Sequence, residues 1–242
     1  MKKFLAPILL MALLGTNGAR AQNRDAGPDH KAWDRLLYEH VRPDGTVDYP
    51  GFAGDRPQLD DYLSEMASRV PDPAAPRNRR LAYFINLYNA LTVRLILDNY
   101  PLESIRDLPN PWGGELISLE GKGYSLDDIE HKVLRKMGEP RIHFALNCAS
   151  ASCPVLQPFA FSEEKLDAQL NWAARAFIND PERNRFQPGL ARLSSLFNWY
   201  RGDFEKASGS LAAFLNTYLD TPLEPGCRIR FLPYDWGLNQ SR

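Results

Sequence analysis

The segment from Arg79 to Asn99 constrains this chain more than any other. Leu81, Phe84, Ile85, Tyr88, Leu91, Thr92, Leu95 and Ile96 recur at a 3.6-residue period and make one continuous apolar stripe. A stripe that long must be covered on all sides by other elements, so it predicts a central core helix. Asn86 and Asn89 fall beside it at 100° per residue, with Asn89 at its edge. A buried amide requires hydrogen-bond partners. Asn89 therefore either fastens a neighbouring loop or faces a cleft.

Shorter elements flank this helix. Trp33, Leu36, Leu37 and Val41 share one helical face, as do Leu59, Leu63, Met66 and Val70. Prolines 71, 73 and 76 separate the second of these from the central helix. Residues 116 to 124 predict a hairpin, followed by a helix capped by Ser125 with Asp128 three residues on. A helix is predicted from Ser162, a hairpin across Pro188 and Gly189, helices at 197–204 and 211–219, and a last strand at 228–232. The expected fold class is α+β: one predominantly helical domain with a few short antiparallel strands, centred on residues 79–99.

The first 21 residues read as a cleaved secretory signal: Lys2 and Lys3, the apolar run Phe4 to Leu14, then Ala19-Arg-Ala21. The expectation is a domain over residues 22–242, periplasmic or secreted, without a stable membrane span after cleavage. The whole chain has a formal charge of −1, and losing Lys2, Lys3 and Arg20 makes it more acidic. Nucleic acid is thereby excluded as a partner, since it demands a basic footprint. What remains is an unknown envelope substrate or protein partner. No phosphate loop or dinucleotide fingerprint appears, and no cofactor is expected.

Two of the three cysteines and one of the four histidines lie between Arg141 and Pro154 (Arg-Ile-His-Phe-Ala-Leu-Asn-Cys-Ala-Ser-Ala-Ser-Cys-Pro). Three cysteines cannot all pair within one chain. This segment closely resembles the DUF547 family, together with Leu81-Ala-Tyr-Phe-Ile-Asn-Leu-Tyr-Asn-Ala-Leu-Thr-Val93, Tyr124-Ser-Leu-Asp-Asp-Ile-Glu-His131 and Ile229-Arg-Phe-Leu-Pro-Tyr-Asp-Trp236. The family occurs in bacterial envelope proteins and in plants, and its name records an unknown function. The resemblance implies that Cys148 matters more than Cys153, because plant members lack the second cysteine. Those members also usually carry glycine after the first, where this chain has Ala149.

Cys148 is the candidate nucleophile of a cysteine-dependent hydrolase or acyl transferase acting on an amide, peptide or thioester. If the small residues after it open a helical turn, the dipole lowers its pKa. The amides of Ala149 and Ser150 are then the expected oxyanion donors. His143, five residues away, lands on the opposite face of a strand and about 140° away on a helix. It can pair with Cys148 only if the chain turns sharply at Asn147. His131 is free of that restriction, with Asp127 or Asp128 one turn earlier to orient it. Asn89 is the expected orienter or oxyanion donor. The alternatives are a binding or scaffold protein with a structural Cys148, a thiol-redox protein using Cys148 and Cys153, and a zinc site of His143, Cys148 and Cys153. Cys227 is the odd thiol or a partner for Cys153. Phe231, Tyr234 and Trp236 are expected to pack on the core.

Overall fold

A computed structural model describes residues 27–241; the leader expected over residues 1–21 lies outside them. Helix α1 (Lys31–His40) precedes the short α2 (Tyr49–Gly54), which the apolar pattern did not announce, and then α3 (Arg56–Ser68). The central helix α4 (Arg77–Asn99) starts immediately after Pro76, and every residue from Leu81 to Val93 is buried. Trp33 and Tyr62 stack at 5.9 Å where α1 meets α3, and the Tyr83 hydroxyl donates to the Met66 carbonyl at 2.8 Å, tying α4 to α3.

After α4 come the hairpin β1 (Ile117–Leu119) and β2 (Lys122–Tyr124) and a wide, π-type helix over Asp128–Leu134. Its start follows the expected cap: the Asp128 amide donates to Ser125 Oγ at 3.1 Å, and the Ser125 amide donates back to Asp128 Oδ2 at 3.0 Å. A 3-10 helix over Pro140–Phe144 has proline at its first position, and the Glu139 carboxylate accepts from the Arg141 amide. Helix α5 (Leu166–Asn179) begins four residues later than the sequence indicated. Ser162 and Gln169 instead hold a loop, the Ser162 amide donating to Gln169 Oε1 at 2.9 Å.

Strands β3 (Arg185–Gln187) and β4 (Leu190–Leu193) form the expected antiparallel hairpin, with Gly189 at φ 69° in its turn. Helices α6 (Leu196–Trp199), α7 (Arg201–Ser208) and α8 (Leu211–Tyr218) follow. Strand β5 (Arg228–Phe231) then joins β4 in parallel, which corrects the all-antiparallel expectation. The physical reason is the connection. Three helices lie between β4 and β5, long enough to carry the chain back to the starting end of the sheet.

The buried side chains fall into two adjoining cores of one helix-dominated α+β domain. The larger surrounds α4; the smaller joins α5, β4 and α6 to α8 through Phe177, Phe197, Phe204 and Phe214. Phe144 belongs to the second core, whereas Ala145, Leu146 and Ala149 belong to the first. The segment carrying Cys148 thus crosses the seam, as does α5, whose Leu166 and Leu170 lie in the first core and whose Ala173, Ala174, Phe177 and Ile178 lie in the second. Among the described residues no helix is long and apolar enough to cross a membrane.

Candidate functional site

The Cys148 segment is pinned from α4. Asn89 Nδ2 donates to the Ala145 carbonyl and Asn89 Oδ1 accepts from the Asn147 amide, both at 2.9 Å. With both ends of its amide engaged by backbone, Asn89 fastens the loop and is not free to serve as an oxyanion donor. Asn86, one turn earlier, pairs in the same way with the amide and carbonyl of Phe161. Asn147 extends the clamp, accepting from the Ala149 amide at 2.9 Å and donating to the Pro154 carbonyl at 2.8 Å.

Between His143 and Cys148 the chain turns at Ala145, where the 3-10 helix ends, and not at Asn147; these bonds hold that turn, and the sharper bend follows Cys148. Ala149 takes φ 57°, a left-handed conformation disfavoured for a residue with a Cβ by about 1–2 kcal/mol. The absence of glycine here does not prevent the positive φ. No helix begins at Cys148; residues 148–153 form turns covered by the C-terminal tail. The Ala151 amide donates to the Gly237 carbonyl and the Asn239 amide to the Ala149 carbonyl, at 2.8 and 3.2 Å.

Cys148 is half-buried. Its Sγ lies 3.1 Å from Ser150 Oγ and 3.3 Å from the Tyr234 hydroxyl. Burial alone would raise the thiol pKa, but hydrogen bonds from Cys153, Ser150 and Tyr234 overcome it and hold Cys148 below its ordinary value. The favoured thiolate therefore arises from side-chain donors and the Ser150 amide rather than from a helix dipole. Cys153, buried and beside Cys148, is pushed well above the ordinary value, and its sulfur accepts from the Cys148 amide. All three cysteines are free thiols in this structure. The amides expected as oxyanion donors are otherwise engaged, Ala149 with Asn147 Oδ1 and Ser150 with the Cys148 sulfur.

His143 stacks on Tyr200 at 3.8 Å and is almost wholly buried. Its Nε2 lies 2.9 Å from Asp203 Oδ2, while Nδ1 has no hydrogen-bond partner and sits 3.9 Å from Glu130 Oε1. The bond to His143, reinforced by Arg135, holds the Asp203 carboxyl far below the usual range, so Asp203 is ionised and accepts from Nε2–H. Burial, against the pull of Asp203, keeps the His143 pKa below its ordinary value. A neutral ring that spends its proton on Asp203 leaves the lone pair on Nδ1.

Cys148, His143 and Glu130 line one cavity of about 210 Å³, with Tyr88, Tyr200 and Trp199 among its walls. His131 and Asp127 reach its edge, Nε2 to Oδ1 at 3.7 Å, but His131 Nδ1 meets Arg135 at 3.3 Å and the ring is substantially exposed. Asp128 is committed to its cap and to Lys132, and does not orient His131. The sequence reading missed Asp203, Tyr200, Glu130 and the contacts that the Ser150 and Tyr234 hydroxyls make with Cys148. Tyr234 and Trp236 line the cavity rather than simply packing on the core. His143, Cys148 and Cys153 do not bring three ligand atoms together. Among the described residues the group close enough to hold an ion is Glu39, His40 and Asp55, none of which lines the cavity.

Residues 73–178 match the family described as "Protein of unknown function, DUF547", which supports the family resemblance over the central helix and the Cys148 segment. No curated protein and no solved structure matches the chain.

Proposed function

We propose that the protein is a cysteine-dependent acyl transferase or hydrolase in which Cys148 is the nucleophile, His143 the acid–base and Asp203 the residue that orients it. One observation carries this reading: a thiol held below its ordinary pKa shares a cavity with a buried, neutral imidazole whose Nε2 is fixed by a carboxylate and whose Nδ1 is unpartnered. His143 and Asp203 take the places first given to His131 and Asp127. A nucleophile, a base and an orienting group is the arrangement acyl transfer needs.

In the reaction Nδ1 of His143 takes the proton of the Cys148 thiol, and the resulting thiolate attacks a carbonyl carbon as the S–C bond forms. The Ser150 and Tyr234 hydroxyls and the Ser150 amide, no longer needed by a charged sulfur, stand next to the oxygen that takes up the negative charge. The leaving group departs with a proton delivered from His143. Water or an acceptor amine then attacks the thioester, giving its proton to Nδ1, and Cys148 is released as thiolate. An envelope location suits an amide, peptide or thioester substrate.

The test is acyl trapping. The protein is mixed with p-nitrophenyl acetate, quenched in acid and digested, and acetyl groups are located by mass spectrometry. Acetylation is expected at Cys148 far ahead of Cys227, slowed about 10²- to 10⁴-fold by His143→Asn and little affected by His131→Asn. Equal labelling of both cysteines, or indifference to His143→Asn, overturns the assignment. The closeness of Cys148 and Cys153, with pKa values driven apart, favours a dithiol role as the second reading. That role requires both thiols, whereas acyl transfer survives Cys153→Ser.

A further inference from the structure

The cavity beside Cys148 has a marked chemical character. One wall is a continuous run of rings: Trp199 lies 4.7 Å from Tyr234 and 5.7 Å from Trp236, Tyr234 lies 4.6 Å from Trp236, and Trp112 meets Trp236 at 5.6 Å. Trp199 is 47% exposed, so this wall reaches the surface and forms the mouth. The charged residues that line the cavity are two carboxylates, Asp127 and Glu130, and no lysine or arginine lines it.

The nearest cations are already committed. Arg135 is bound by Asp203 through two bonds of 2.7 and 3.0 Å, and Lys132 is bound by Asp128. Glu130 is the telling group: its side chain is 9% exposed, and its nearest basic group is His143 Nδ1 at 3.9 Å, on a ring whose proton is spent on Asp203. The Tyr200 phenol engages it and the Arg135 guanidinium attracts it through space, but among the described residues no lysine or arginine bonds to it. A buried carboxylate whose nearby guanidinium is bonded to another acid still gains from a cation that a ligand brings into direct contact.

Resting on acyl transfer at Cys148, we propose that the cavity receives an acyl substrate carrying a cationic amine within a few bonds of the reacting carbonyl. Its ammonium is held by Glu130 and faced by the rings of Trp199 and Tyr234, while Trp236, which already carries the Arg106 guanidinium 5.3 Å from its ring centroid, backs them. Rings of this kind attract a cation through their negative faces. Asp127 at the edge adds attraction for the incoming charge. The ammonium also offsets the repulsion between Glu130 and the Cys148 thiolate, so the correct substrate favours the reactive form of the nucleophile.

Charge-graded thiol reagents test this without knowledge of the substrate. In each, a thiolate displaces methanesulfinate from a methanethiosulfonate and forms a mixed disulfide. Rates at Cys148 are measured by peptide mass spectrometry with the 2-aminoethyl, methyl and 2-sulfonatoethyl reagents, each divided by its rate with free 2-mercaptoethanol. The cationic reagent is expected to exceed the anionic one by about tenfold or more after this correction, as charge-lined clefts do. Glu130→Gln should remove most of that preference, and Asp127→Asn, at a half-exposed position, should reduce it without threatening the fold. A reactive Cys148 with no charge preference, or a preference that survives both substitutions, overturns the amine proposal and leaves acyl transfer standing. A Cys148 inert to all three reagents overturns both.

Discussion

Replacing Asn89 by alanine should separate what holds the fold from what sets the thiol. The substitution leaves the Ala145 carbonyl and the Asn147 amide without partners inside a buried segment. Each orphaned group costs about 1–3 kcal/mol, so the expected loss is about 4 kcal/mol. In a domain of this size that lowers Tm by roughly 8–16 °C, within the ~5–15 kcal/mol margin that keeps a domain folded. Asn86→Ala is the control. It sits on the same helix and makes the same two-bond pairing, but with Phe161. Both variants should lose similar stability in urea titrations. Only Asn89→Ala should raise the midpoint of Cys148 alkylation against pH, because only Asn89 holds the turn that presents Sγ to Ser150 and Tyr234. A loss below about 1 kcal/mol for Asn89→Ala, or an equal midpoint shift in Asn86→Ala, would refute the reasoning.

Three further outcomes can be checked. Asp203→Asn leaves His143 without the acceptor that fixes its tautomer, and acetylation of Cys148 should slow at least about tenfold at pH 7; an unchanged rate removes Asp203 from the site. Stability should decline as pH falls below about 6.5, because burial lowers the pKa of both His30, to about 4, and His143. Above 6.5 both states are neutral; below it the unfolded chain takes up protons that the folded chain refuses, and for His30 the effect saturates near pH 4. Urea midpoints that stay flat between pH 6.5 and 4.5, or a decline undiminished in His30→Gln, would contradict this. At Ala149, φ 57° and full burial oppose each other, so Ala149→Gly trades relief of strain for a lost methyl of about 0.8 kcal/mol and should be nearly neutral, whereas Ala149→Val should cost more than about 2 kcal/mol; equal stabilities by thermal melting would deny the strain.

The parts of this fold legible in the sequence are those whose signal is local. The stripe of α4, the Ser125 cap and the Pro188–Gly189 turn each write their structure into a few neighbouring residues, and each appears where expected. The candidate site was legible only in Cys148 and the histidines. Whether Cys148 and His143 share a cavity depends on a turn set by Asn89, 58 residues before the Asn147 amide it binds. Asp203 reaches His143 across 60 residues and Tyr234 reaches Cys148 across 86, so neither stands in a spacing that a motif could show. A single tyrosine in an aromatic tail reads as packing until the partner of its hydroxyl is seen. The parallel entry of β5 has the same origin, since strand direction is decided by the helices that return the chain.

The most direct test is the pH dependence of the Cys148 alkylation rate in the reduced protein, followed peptide by peptide with iodoacetamide. Cys148 is expected to titrate clearly below the ~8.5 of an ordinary thiol, to move upward in Tyr234→Phe, and to react well ahead of the buried Cys153. A midpoint at or above that of an ordinary thiol, or a Cys148 that stays unmodified while Cys227 reacts, would contradict an activated nucleophile at this site.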